Sequence, residues 1–278
     1  MKKIFDEVSL KCSEITTKHY STSFSLGIRL LDKKIHNPIY SIYGFVRLAD
    51  EIVDSFHDFE KMELLNEFKE DTKTAIERRI SLNPILNSFQ EVVNKYNIEW
   101  EHIQNFLSSM ECDLNQKKHD EDSYKEYIKG SAEAVGLMCL RVFCNNNNQL
   151  YNDLEKYAIC LGSVFQKVNF IRDISADYNV LKRVYFPQLN INEFNEEEKN
   201  KIEDDIEKEF SLALIGIKKL PKSAKKGVFL VYSYYYSLFK KIKSTPANKI
   251  MTKRIRIPNL TKFLILIKVQ LLNMFKLI

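Results

Sequence analysis

The residues best suited to chemistry are two sets of side-chain oxygens at helical spacing. Asp50 and Asp54 stand four positions apart in Arg47-Leu48-Ala49-Asp50-Glu51-Ile52-Val53-Asp54, and Asn169, Asp173 and Asp177 repeat at the same interval. Residues i and i+4 of an α-helix lie about 5–6 Å apart on one face, so each set forms a stripe of oxygens whose like charges repel unless a cation intervenes. One such pair alone also reads as an ordinary solvated helix face. The second stripe, however, is embedded among Val164, Phe165, Val168, Phe170, Ile171 and Ile174, a segment apolar nearly all round. A helix of that kind is packed on most sides, and uncompensated carboxylates there are costly. Arg47, one turn before Asp50, and Arg172, beside Asp173, are placed to offset part of the charge. Oxygen-only donors select a hard ion, and Mg²⁺, with Mn²⁺ as its substitute, usually joins a few carboxylates to substrate phosphate oxygens. Two such helices facing each other would hold a diphosphate between metal ions.

The elements that must position these stripes are helical. Apolar periodicity and capping signals predict helices at roughly 4–20, 38–57, 60–80, 84–95, 99–116, 123–144, 149–177, 196–219, 223–243 and 259–276. Asn195 with Glu198, and Ser123 with Glu126, have the form of capping boxes. The six prolines read as breakers near helix ends, and the stretch from Tyr178 to Phe194, directly after the second stripe, reads as a lid.

Composition agrees. In 278 residues there are only 7 glycines and 6 prolines, too few for a glycine-rich nucleotide fold or a turn-dense sandwich, which leaves a single all-α domain over 1–278. The formal charge of +5 balances 42 basic against 37 acidic side chains, read as intermingled, so no nucleic-acid partner is implied. Five cysteines without a C-x-x-C pair fit a reducing, cytoplasmic setting, and the start of the chain carries no apolar signal segment. The five histidines show no ligand spacing, and no serine or cysteine has a nucleophile's context. The last helix, about 259–276, is almost wholly apolar but short and interrupted by Lys268. It reads either as a core helix or as one that also docks peripherally on the inner face of a membrane. Phe24, Phe165 and Tyr235, within or beyond the tyrosine-rich run Val231 to Tyr236, either line a cavity or pack in a core.

Over about residues 15–260 the sequence resembles the squalene and phytoene synthase family of head-to-head prenyl synthases. The two acidic segments resemble that family's aspartate-rich motifs, and Arg183-Val184-Tyr185-Phe186-Pro187 resembles its Arg-x-Tyr-x-Pro. Ser21-Thr22-Ser23-Phe24, Tyr127 to Met138, and Lys253-Arg254-Ile255-Arg256 match further motifs in order. The resemblance implies an isoprenoid-synthase-type helical bundle around a deep apolar cavity. It implies Mg²⁺ held by Asp50, Asp54, Asn169, Asp173 and Asp177, with Glu51 as an additional candidate ligand. It further implies diphosphate contacts from Ser21, Ser23, Arg47, Arg172, Arg183 and Arg254, and a place for Tyr127 near the reacting cation or proton. Two departures stand out: Thr22 where a basic residue is frequent, and Glu133 where close helix packing usually takes glycine.

The expected reaction is the joining of two geranylgeranyl diphosphates to phytoene through a cyclopropyl diphosphate, for carotenoid synthesis, without NADPH. A squalene or dehydrosqualene synthase acting on farnesyl diphosphate is the alternative within the class. A non-catalytic assembly protein is the alternative outside it, although the four aspartates are intact. Oligomeric state is not read from the sequence.

Overall fold

The computed structural model describes residues 1–115, 119–176, 183–187 and 194–275. They form an all-α bundle: α1 (Lys2–Tyr20), α2 (Thr22–Arg29), α3 (Lys33–Asp54), α4 (Lys61–Arg78), α5 (Pro84–Tyr96), α6 (Trp100–Asn115), α7 (Glu121–Ile128), a π-helical turn (Lys129–Glu133), α8 (Ala134–Cys144), α9 (Asn148–Ala176), α10 (Glu196–Lys219), α11 (Lys222–Lys243), the short α12 (Ala247–Ile250) and α13 (Asn259–Met274).

Two apolar cores build the walls. One gathers α3 to α6: Ile35, Ile39, Ile42, Phe45 and Ala49 recur along one face of α3, and Phe45 stacks on Phe89 with ring centroids 3.9 Å apart. Burying a ring of this size contributes about 1.5–3 kcal/mol over leaving it in water. The other core joins α9, α10 and α11 through Val164, Val168, Ile171, Ile206, Phe210 and Phe239. Its 29-residue α9 is the helix expected to be packed on most sides, and α10 and α8 cover it.

Several expectations are corrected. Pro38 lies inside α3, which starts earlier than expected because Asp32 caps it, accepting from the Lys34 N–H at 2.9 Å. A short α2 follows Ser21, which caps it by accepting from Phe24 N at 3.2 Å. The capping box near residue 123 is Asp120 with Ser123, not Ser123 with Glu126: Ser123 N donates to Asp120 Oδ1 at 2.8 Å and Asp120 N donates to Ser123 Oγ at 2.9 Å. The expected helix 123–144 is interrupted by the π turn, which adds one residue to a turn and so resets the faces on either side of it. Asn195 caps α10, accepting from Glu197 N and Glu198 N, while Glu198 Oε2 is buried without a partner, so among the described residues only the Asn195 half of the expected capping box is seen. The expected lid falls largely on residues 177–182 and 188–193, outside the described residues.

The charges are not intermingled either. The last acidic residue is Glu209, and all of the remaining chain is basic or neutral. No helix among the described residues is long and apolar enough to cross a membrane.

Candidate active site

The C-terminal half of α3 and the C-terminal half of α9 open onto one cavity of about 560 Å³, within the range of small-molecule sites. Its polar end is lined by Arg47, Asp50, Asp54, Asn169, Arg172, Asp173, Arg183 and Arg254. Its body is apolar, and Phe24, Phe165 and Tyr235 sit together there: Phe165 stacks on Tyr235 at 4.0 Å and Phe24 lies 6.2 Å from the same ring. Five of the seven glycines line this space. None has positive φ; they act by what they omit. A Cβ on Gly162 would stand 2.6 Å from the Ala132 carbonyl oxygen, so α9 reaches the π turn only as glycine. The close approach expected at the Glu133 position is thus supplied from the facing helix.

On α3, Asp50 lines the cavity wall with about a third of its side chain exposed. Burial, opposed by Arg47 and reinforced by Asp54 and Asp113, pushes its carboxyl up to about 7. Arg47 relieves part of it. Its Nη1 stands 3.8 Å from Asp50, while its other nitrogen pairs with Glu51 and its guanidinium lies 4.2 Å from the centre of the Tyr20 ring. Asp54 is about half exposed and is met by Arg183 Nη1 at 3.3 Å.

On α9 the balance is reversed. Arg172 Nε donates to Asp173 Oδ1 at 3.0 Å and its Nη2 to Oδ2 at 2.5 Å, while Arg254 brings Nε to Oδ1 at 2.7 Å and Nη2 to Oδ2 at 3.1 Å. Two guanidinium groups therefore clamp one carboxylate. One turn earlier, Asn169 Oδ1 is buried without a hydrogen-bond partner. Asp177 lies outside the described residues.

An acid from a third helix, which the sequence reading missed, joins these stripes. Asp113 of α6 keeps only 7% of its side chain exposed, and burial, opposed chiefly by Arg183, pushes it up to about 6. It accepts from the Tyr127 hydroxyl at 2.6 Å and from the Tyr185 hydroxyl at 3.0 Å, and Arg183 Nη2 donates to its backbone carbonyl at 2.9 Å. Burial drives the Tyr127 hydroxyl well above its ordinary value, with Asp113 adding to the effect. Phe170, stacked 4.2 Å from Tyr185, and His119 close the ring cluster around it. The sequence signal was available: Asp113 continues the buried stripe Ile103, Phe106, Met110 of α6.

Other expected residues sit elsewhere. Ser21 caps α2, and neither it nor Ser23 lines the cavity. Glu51 is turned to Arg47 and is also off the cavity wall. Glu133 lies near Glu209 and Lys167, where burial and then Glu209 push it up to about 7. Among the described residues no three His, Cys, Asp or Glu side chains converge closely enough to hold a metal ion. The oxygens facing the polar end are nevertheless all hard donors, and the orphaned Asn169 Oδ1 and the partly compensated Asp50 are groups a divalent cation would satisfy.

A family model described as squalene/phytoene synthase matches residues 17–261. The chain is 26% identical over 199 residues to a 4,4'-diapophytoene synthase of Staphylococcus haemolyticus, covering 70% of this chain and 67% of that one. It is 24% identical over 196 residues to a phytoene synthase of Arthrospira platensis, covering 66% and 62%. It is 27% identical over 169 residues to a presqualene diphosphate synthase of Rhodopseudomonas palustris, covering 60% and 58%. The match thus spans about two thirds or less of these relatives' length. Among solved structures, a dehydrosqualene synthase in complex with ligand superposes with a TM-score of 0.81 over 95% of this chain and 96% of that chain, at 17% identity. A squalene synthase from Alicyclobacillus acidocaldarius gives 0.76 over 86% and 95%, at 16%. These likenesses speak for the fold.

Proposed function

Given that the chain belongs to the squalene/phytoene synthase family, we propose that it joins two prenyl diphosphates head to head, with geranylgeranyl diphosphate as substrate and phytoene as product. The observation that carries this reading is the convergence of acids from α3, α6 and α9 with four arginines at one end of an apolar cavity.

Diphosphate departure needs positive charge placed before the bond breaks, since preorganised charge costs no rearrangement at the moment of reaction. Arg47, Arg172, Arg183 and Arg254 line that end and supply it. Asp50, Asp54, Asn169 and Asp173 would hold Mg²⁺, which would supply positive charge to neutralise the departing diphosphate. The aromatic faces of Phe165 and Tyr235 shelter a carbocation from water and stabilise it through their π-systems. Tyr127, hydrogen-bonded to Asp113, is the group suited to holding a proton near the apolar space. Proton loss ends such a sequence without NADPH.

A second reading, farnesyl diphosphate with a dehydrosqualene product, is favoured by the likeness to the 4,4'-diapophytoene synthase and to the dehydrosqualene synthase structure. Incubating the protein with labelled C15 and C20 prenyl diphosphates, with and without Mg²⁺ and NADPH, tests both. The first reading expects diphosphate release and a C40 hydrocarbon with Mg²⁺ alone. A C30 product selects the second reading, and no release under any condition overturns both.

A further inference from the structure

From residue 210 onward the chain contains no aspartate or glutamate and 15 lysines and arginines, while the rest holds 27 basic against 37 acidic side chains. A molecule with a modest overall charge therefore carries a strongly basic end. Most of this basic set is exposed, including Lys240, Lys241, Lys243, Lys249, Lys253, Arg256 and Lys268.

Among the described residues the same segment carries the most exposed large apolar side chains. One face of α13 packs through Ile265, Leu266 and Val269 onto Leu230 and Tyr234 of α11, Leu26 of α2 and Leu30 just after it. The other face is open: Leu260 is 69% exposed, Phe263 and Leu264 57%, Ile267 41%, Leu271 47% and Met274 65%. These positions recur every three or four residues, so they form one stripe along the helix, about 24 Å long at 1.5 Å per residue. That is too short and too often interrupted by lysine to span a bilayer, and it suits a helix lying in the membrane interface. The stripe begins beside the cavity's polar end. Arg254, just before α13, holds Asp173, and Lys262 is pushed down by burial and by the nearby charge of Arg172.

We propose that α13 and the basic residues around it form a docking surface for an anionic bilayer. Charge decides between a bilayer and a second copy of this chain. A twofold contact through α13 would set one strongly basic segment against another, with Lys243 and Arg254 already paired to Glu207 and Asp173, whereas anionic headgroups complement the remaining exposed lysines and arginines. The inference does not depend on which prenyl diphosphate the cavity accepts, and it is read without substrate.

The test is flotation of the full chain with vesicles of phosphatidylcholine alone and of phosphatidylcholine with phosphatidylglycerol, at low and high salt. Binding is expected to the anionic vesicles only and to weaken with salt. Leu264→Asp combined with Leu271→Asp, and separately Lys253→Glu with Lys268→Glu, are each expected to weaken the partition about tenfold or more, with helical circular dichroism unchanged. Absence of flotation, equal binding to neutral vesicles, or undiminished binding by both folded variants would overturn the proposal. So would a solution dimer that Leu264→Asp with Leu271→Asp dissociates while the wild type ignores vesicles.

Discussion

The two acidic helices share a spacing and differ in their electrostatics. At the end of α3, Asp50 faces Arg47, which is also engaged by Glu51 and Tyr20, and burial pushes its carboxyl up to about 7. At the end of α9, Asp173 is gripped by Arg172 and Arg254 together. The same i, i+4 pattern thus yields one carboxylate that favours its proton and one saturated with guanidinium charge. A cation arriving at α3 meets an acid that can exchange a proton for it, and one arriving at α9 must share the carboxylate with an arginine.

The strongest way to break this comparison is to remove each acid. Asp50→Asn and Asp173→Ala are each expected to lower diphosphate release about 10³-fold, the scale of losing a preorganised charge contact, with helical circular dichroism intact. Near-normal turnover in either variant would detach that helix from the chemistry.

Stability should then separate the two, with opposite signs. A carboxyl raised in the folded state binds a proton that the unfolded chain has already lost, so stability falls as pH rises from about 4 to about 7 and is flat above. Asp50→Asn removes that loss and is expected to raise Tm by roughly 2 °C or more at pH 8 without metal, whereas Asp173→Asn strands two arginines and lowers it. Thermal melts at pH 5 and pH 8 check this; a gain from Asp50→Asn that is larger at pH 5 would reverse the sign and sink the assignment.

Metal binding follows the same proton. Where Mg²⁺ displaces a proton from Asp50, its apparent affinity should rise about tenfold per pH unit up to about 7 and level off beyond, as calorimetric titration would show. A flat profile from pH 5 to 8 would place the cation elsewhere. The smallest effect is expected at Arg254, whose side chain is about half exposed: Arg254→Lys should change kcat/KM by roughly 2–5-fold, mostly through KM.

Much of the fold was legible because α3 and α9 carry their periodicity openly, one with an amphipathic face and the other apolar nearly all round. Pro38 misled because a proline in an early turn of a helix capped by Asp32 loses one backbone bond and is outweighed by the core made by Ile35, Ile39, Ile42 and Phe45. In the site, spacing could reveal oxygens on one helix but not the partners they meet across the bundle. Arg183 reaches Asp54 over 129 positions of chain, and no local pattern encodes that. Asp113 was the recoverable omission, an acid standing where the buried stripe of α6 calls for an apolar residue.

The π turn at Lys129–Glu133 carries one consequence for how the gene can change. It holds an extra residue between Tyr127, which faces Asp113, and α8, whose Val135, Gly136, Cys139 and Leu140 form cavity wall. A single-codon deletion there would let the chain relax to an ordinary α-helix and rotate one side of it by about 100° relative to the other. Either the tyrosine or the wall would leave the cavity, so this short segment is fixed in length, and at Gly130, where a Cβ would stand 2.3 Å from the Asn105 carbonyl oxygen, in residue type as well.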